Sequence, residues 1–228
     1  MSQSISFSAS ESEKLEKIFK HYTILKGGLI FLDQVEPTGL SYVQPYNEIR
    51  HSVDHLSRVI LYKLGIHAPT DTTDYISKQL DKAYAHMYRA MYDTLDLLGL
   101  TIKESISVKL DPFSVNTKHT VMPEFYTKIL PRLYTITEKE IVSLRETKDV
   151  GDDNEDNVVA LNDLVAEMGG MLTYVNNHMP SLSQYEAGQH KSVIKERWWQ
   201  LLLALIGGGV LTWLIPNIWN AFQYIPPK

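Results

Sequence analysis

The apolar residues of this chain recur mostly every three or four positions, the spacing that keeps one stripe of a helix facing a core. Ser8-x-x-Glu11 and Ser10-x-x-Glu13 have the form of capping boxes, in which hydroxyl and carboxylate each satisfy a free backbone N–H of the first turn. Behind them Leu15, Ile18, Phe19, Tyr22 and Leu25 share a face, and Gly27-Gly28 and Pro37-Thr-Gly39 punctuate the next stretch. Pro45 suits a first helical turn, where its missing N–H would lack a helical partner anyway, and predicts a second helix ending near Gly65. A third helix is predicted from about Asp71 to Leu98, with Gly99 as the point where it ends or continues. Tyr84, Tyr88 and Tyr92 fall at i, i+4, i+8 on it, a spacing that serves core packing more often than a stacking platform. Residues 109–122 read as a loop, and a fourth helix is predicted from Pro123 to about Arg145 with a bend at Pro131. The run from Lys148 to Asn157 reads as a solvated acidic linker, since it lacks the ligand spacing and closing Glu of a calcium loop. A fifth helix is predicted from about Glu155 to Asn177, with Val158, Leu161, Leu164, Val165, Met168 and Leu172 inward, and Pro180 to Lys191 as a connector. Sustained alternation and hairpin signals are missing, so the fold class read from the pattern is all-α, a helical bundle.

The pattern changes after Arg197. From Trp198 to Pro227 there is no Asp, Glu, Lys, Arg or His, and residues 201–215 are almost wholly apolar. Residues 201–222 would make roughly 33 Å of helix, enough for a hydrocarbon core of about 30 Å. A helix satisfies its own backbone groups, which lipid cannot do. Trp198 and Trp199 at one end, and Trp213, Trp219 and Tyr224 towards the other, match the aromatic belts of lipid–water interfaces. Pro216 would kink or end the span. A single C-terminal transmembrane helix is therefore expected: residues 1–190 form a cytoplasmic bundle with its acidic linker at about 148–157, and 191–228 the anchor. Lys191, Lys195 and Arg197 before the span against Lys228 after it place the bundle on the cytoplasmic side. Ala204 and Gly208 form a small-xxx-small pair, and Gly207, Gly208 and Gly209 lack side chains, a notch that suits close approach of a second copy.

Composition narrows the chemistry. The first ten residues carry no Lys or Arg and no apolar run, so no N-terminal export signal is read. The absence of cysteine excludes disulfides, zinc ribbons and thiol catalysis. The net charge is −5 and the densest charge cluster, Asp149 to Asp156, is acidic. Direct nucleic-acid binding needs clustered positive charge and is not expected from the linear sequence.

The densest polar stretch within a helix is Tyr46-Asn-Glu-Ile-Arg-His-Ser-Val-Asp-His-Leu-Ser-Arg58. His51 and His55 at i, i+4 share a face, a two-ligand spacing for a metal, but no third ligand is evident. Glu48-x-x-His51 is half of a di-iron carboxylate motif whose second half is not found. Neither a metal nor a cofactor is expected. Arg50–Asp54 and Asp54–Arg58 are i, i+4 pairs that support an ordinary surface helix, with Ile49, Val53 and Leu56 then facing the core.

Arg50-His51-Ser-Val-Asp-His55 is similar to the Arg-x(4–6)-His motif of the HEPN superfamily, helical bundles that include RNA-cleaving toxins and antiviral effectors. His51 supplies the polar residue that commonly follows the Arg in that motif. The resemblance covers this motif and the helical character of the chain. It implies catalytic roles for His55, in acid–base work on RNA, and for Arg50, against charge developing at phosphate. In that family the two residues meet in a cleft between subunits. In this sequence the motif falls early in the bundle, and Arg50 and His55 stand about 140° apart around one helix.

With the anchor, the chain resembles membrane-anchored HEPN-like proteins of bacterial antiviral, CRISPR-type systems. That implies a membrane effector or accessory in the bacterial inner membrane. It would act on the lipid bilayer as a homo-oligomer, with a defence-system protein or RNA-guided complex as partner. A membrane-tethered HEPN-type ribonuclease toxin is the alternative. A third is a non-enzymatic scaffold that recruits a partner to the membrane.

Overall fold

A computed structural model describes residues 5–36, 43–67, 69–70, 72–146 and 155–223, with side chains of the last segment described over 156–189 and 191–205. Among the described residues all regular structure is helical, as the periodicity predicts. The order is α1 (Ala9–Val35), α2 (Val43–Lys63), α3 (Tyr75–Leu110), α4 (Val115–Val121), α5 (Leu130–Thr135), α6 (Ile141–Glu146) and α7 (Glu155–Gln223). Single π turns, Phe125–Ile129 and Ile136–Glu140, flank α5. The chain divides into two compact units. Met1–Pro112 with Met122–Asn177 form the first, and Phe113–Val121 with His178–Lys228 the second.

In the first unit α1 and α2 each pack along α3. The Ser8 box is present: the Ser8 N–H donates to Glu11 at 2.7 Å and the Glu11 N–H to Ser8 Oγ at 3.3 Å. Lys63, at the end of α2, donates to the same Glu11 carboxylate at 2.8 Å and to the Ser6 carbonyl at 2.8 Å. These bonds hold the Glu11 carboxyl below its ordinary value, against the opposing effect of partial burial. The buried side of α1 is Ile18, His21, Leu25, Gly28 and Leu32; Phe19 and Tyr22, expected on the core stripe, are exposed. Gly27-Gly28 does not break the helix. A Cβ on Gly28 would meet Thr94 Cγ2 at 3.1 Å, so the glycine lets α1 and α3 approach closely there.

α2 ends as a glycine predicts. Gly65 takes φ 68°, and the Ile66 N–H reaches back to the Leu61 carbonyl at 3.0 Å. α3 runs through Gly99 to Leu110, twelve residues past Leu98, because Gly99 leaves room for Ile141, Val165 and Met168 to close over it. Tyr88 and Tyr92 are buried, and the tyrosine stripe packs as core with His21 against Tyr84 and Tyr88. Burial pushes the Tyr92 phenol up to about 12. The loop predicted at 109–122 contains the short helix α4. Pro131, which has no N–H to offer the ladder, follows a π turn in which the Leu130 N–H reaches five residues back to the Phe125 carbonyl. Arg132 then grips Glu167 of α7 with two bonds of 2.8 Å.

The core face of α7 is the one expected, with Val158, Leu161, Val165, Met168 and Leu172 buried and Leu164 half-buried. The connector expected at Pro180 to Lys191 is instead helical, and α7 is continuous from Glu155 to Gln223. In the second unit Leu182 is buried, and Ser114 and Thr117 of the α4 segment hydrogen-bond Glu186. One helical stretch, Asp156–Leu205, is long and apolar enough to cross a membrane, and 44% of its most apolar window lies inside the protein. The acidic linker lies outside the described residues except for Glu155 to Asn157, which open α7.

Candidate functional site

The polar stretch of α2 is divided: Arg50, His51, Asp54, Ser57 and Arg58 are exposed, while Glu48, Ser52 and His55 turn towards α3. The buried residues of α2 are Pro45, Ser52 and Val59, while Val53 is 50% exposed and Ile49 and Leu56 only half-buried. The inward seam therefore runs Pro45, Glu48, Ser52, His55, Val59. α3 answers it residue for residue in the opposite direction. Ser52 Oγ donates to the Ala83 carbonyl at 2.8 Å, His55 Nδ1 lies 2.7 Å from Gln79 Oε1, and Glu48 Oε2 receives His86 Nδ1 at 2.8 Å. As one partner's number rises the other's falls, so α2 and α3 are antiparallel.

Two features make the seam unusual. Three imidazoles meet across it: His55 stacks on His86 at 5.3 Å between centroids and 15° between planes, and His51 lies 5.2 Å from the same ring. One carboxylate also serves several donors. Arg89 Nε donates to the same Glu48 oxygen at 2.9 Å, and Arg89 Nη2 lies 2.8 Å from His86 Nδ1. Partial burial opposes ionisation of Glu48, but the bonds from His86 and Arg89 outweigh it and hold the carboxyl below its ordinary value. Gln79 accepts from His55 Nδ1, which leaves Nε2 as the lone-pair nitrogen of the neutral ring.

Of the residues singled out from sequence, His55 and His51 belong to this cluster and Arg50 does not. Arg50 is exposed, on the side of α2 away from the seam. Asp54 pairs with Arg58 at 2.7 Å, and among the described residues no Arg50–Asp54 pair accompanies it. Among the described residues no group of three or more His, Asp or Glu is arranged to hold a metal ion. Glu48 is engaged by His86 and Arg89 instead of completing a carboxylate metal centre with His51.

His86, Arg89 and Gln79 escaped the sequence reading. Their signal was present: Gln79, Ala83 and His86 fall at i, i+4, i+7 on α3, the same spacing as Glu48, Ser52 and His55 on α2. Polar residues at matched spacing on consecutive helices, with the Ala83 backbone carbonyl answering Ser52, mark a polar seam between them.

At the other end of the chain, Trp198, Trp199, Leu201, Leu202, Leu203 and Leu205 are all exposed, Trp198 at 64% and Leu205 at 77%. Ala204 is exposed beside them. The backbone of Gly207, Gly208, Gly209 and Trp213 is helical, and their side-chain positions lie outside the described residues. No protein-family model, curated protein or solved structure matches the chain.

Proposed function

We propose that this protein is a membrane-anchored effector or accessory, of the kind that serves bacterial antiviral defence, and that it oligomerises to perturb the bilayer. The observation that carries the reading is the behaviour of apolar residues along α7. Between Val158 and Val175 most of them turn into the core of the first unit, Val159 being an exposed exception; from Trp198 to Leu205 every apolar residue faces outward. Six large exposed apolar side chains in eight consecutive positions, followed by an uncharged stretch to Pro227, call for a hydrophobic surrounding that the chain itself does not supply. A bilayer supplies it, with Trp198 and Trp199 at the headgroup level and Lys191, Lys195 and Arg197 just outside.

The test is fractionation. The full chain is expected in the membrane pellet after a high-salt wash, and a chain ending at Arg197 in the supernatant. A truncated chain that stays in the pellet refutes the anchor. Expression of the full chain is expected to permeabilise cells, followed as dye entry, and the truncated chain is not.

A tethered ribonuclease is the second reading, favoured by the half-buried His55 stacked on His86, which the Arg89 guanidinium touches. Within one chain Arg50 does not join it. Arg50→Ala and His55→Ala separate the readings: for an effector both leave cellular RNA intact and permeabilisation within about two-fold. For a nuclease, RNA decay in the wild type disappears in both.

A further inference from the structure

The α2–α3 seam is poor in apolar contact and rich in groups that change charge near neutral pH. α1 docks through Ile18, Leu25 and Leu32, all but inaccessible. α2 buries only Pro45, Ser52 and Val59. Much of what holds it is therefore the set of polar contacts across the seam, in which His55 and His86 take part, with the exposed His51 ring against His86.

The fixed charges around the rings are already unbalanced. Glu48 and Asp54 of α2 stand against Arg58 of α2 and Lys82 and Arg89 of α3, two acids against three bases, and Asp54 is taken up by Arg58. Glu48 can neutralise one imidazolium at His86, but Arg89 already uses the same oxygen. A second proton, on His55 or His51, then lands about one ring spacing from a positive ring with no acid left to face it.

We propose that His51, His55 and His86 form a proton-operated latch: neutral rings hold α2 on α3, and loading the cluster with more than one proton releases α2. The inference concerns a contact inside the first unit and does not depend on the membrane reading.

The direction follows from linkage. Burial keeps the His55 imidazole below its ordinary value; the Gln79 hydrogen bond opposes this, and His86, Arg58 and Lys82 add to it. Released α2 therefore binds more protons than docked α2 between that lowered value and the ordinary value of about 6.5. Docking is at full strength above about pH 6.5 and is lost as the pH falls through the lowered value. Protonation places N–H on Nε2 of His55 and leaves its Nδ1 bond to Gln79 intact. The cost of keeping a charged ring half-buried, together with repulsion from His86, Arg58 and Lys82, and not a lost hydrogen bond, is the releasing force.

Hydrogen–deuterium exchange on the full chain in detergent micelles, corrected for intrinsic exchange, reads this directly. Between pH 7.5 and pH 5.5 the amides of 43–63 are expected to lose at least ten-fold of their protection, with 18–32 and 83–106 unchanged. Lys82, exposed on α3, offers a variant that does not disturb packing: Lys82→Glu adds the missing acid and is expected to move release about half a pH unit lower. His51→Gln with His86→Gln, if folded at pH 7.5, is expected to weaken the pH dependence to the part that burial of His55 and the charges of Arg58 and Lys82 still supply. Equal protection of α2 at both pH values overturns the proposal. So does loss shared evenly by α1, α2 and α3, or a Lys82→Glu chain that releases at the wild-type pH.

Discussion

At the scale of single residues, neighbouring glycines carry opposite meanings. Gly27 has nothing within 4 Å of where a Cβ would stand, whereas at Gly28 that Cβ would press on Thr94 Cγ2. Both sit inside α1. Gly27→Ala removes backbone freedom from the unfolded chain without a clash and is expected to stabilise by about 0.8–1 kcal/mol. Gly28→Leu drives a branched side chain into the α1–α3 contact and is expected to destabilise by about 1–3 kcal/mol. Thermal melting of the detergent-solubilised chain checks both; a Gly28→Leu chain as stable as wild type would mean that the two helices are not in close contact there. The pair also shows where residue-level reading stops. Gly-Gly reads as punctuation in a linear sequence, because nothing in the sequence shows which glycine faces a partner. His86 was harder to read for the same reason: its spacing from Gln79 repeats that of His55 from Glu48, but its partner Glu48 lies thirty-eight positions away. The Ser8 capping box, whose partners lie three residues apart, was legible as one of two candidates; Ser10, the other, lies inside α1.

At the scale of elements, helix type was legible and helix phase only partly so. The inward residues of α7 came out as the pattern dictates, since a long apolar stripe there has one buried solution. α2 carries apolar residues on more than one side, and the side that docks is fixed by α3, which presents Gln79, Ala83 and His86 to Glu48, Ser52 and His55. The apolar stripe expected inward, with Val53 at its centre, is left half in solvent. Helix ends followed the same logic. Gly65 stops α2 because the chain needs a positive φ there, whereas Gly99 lies inside α3 under Ile141, Val165 and Met168, and Pro180 lies inside α7. Aspartate scanning on α2 tests the observed phase. Val59 is 1% exposed, and Val59→Asp buries an unpaired carboxylate, at an expected loss of about 3 kcal/mol or more. Val53→Asp adds a solvated charge and is expected to change stability by less than about 0.5 kcal/mol. The reverse order in denaturant unfolding would restore the phase expected from the apolar stripe and dissolve the histidine seam with it.

At the scale of the whole molecule, the membrane reading has a consequence for subunit number. One apolar helix cannot enclose a conducting path, so perturbing the bilayer by forming a pore needs several copies. Between lipid-embedded helices there is little hydrophobic drive, since lipid tails are as apolar as leucine; close backbone approach at small residues supplies the attraction. Ala204 and Gly208, four positions apart, are the place in the sequence where that approach is cheapest. Gly208→Leu keeps the helix as apolar and as long as before, and the first unit lies wholly upstream of it. Membrane fractionation and the melting of the upstream helices are therefore expected to be unchanged. Assembly is expected to weaken by about ten-fold or more in dissociation constant, an effect of about 1.4 kcal/mol. Size-exclusion with light scattering across a dilution series in one detergent reads the shift, and dye entry into cells is expected to fall in parallel. A wild-type chain that is monomeric at every concentration would remove the pore and leave a tether or an enzyme. An oligomer indifferent to Gly208→Leu would move the contact to the helical bundle. There the exposed face of α2, with Val43, Tyr46 and Val53 on the side away from the histidine seam, is the next surface to substitute.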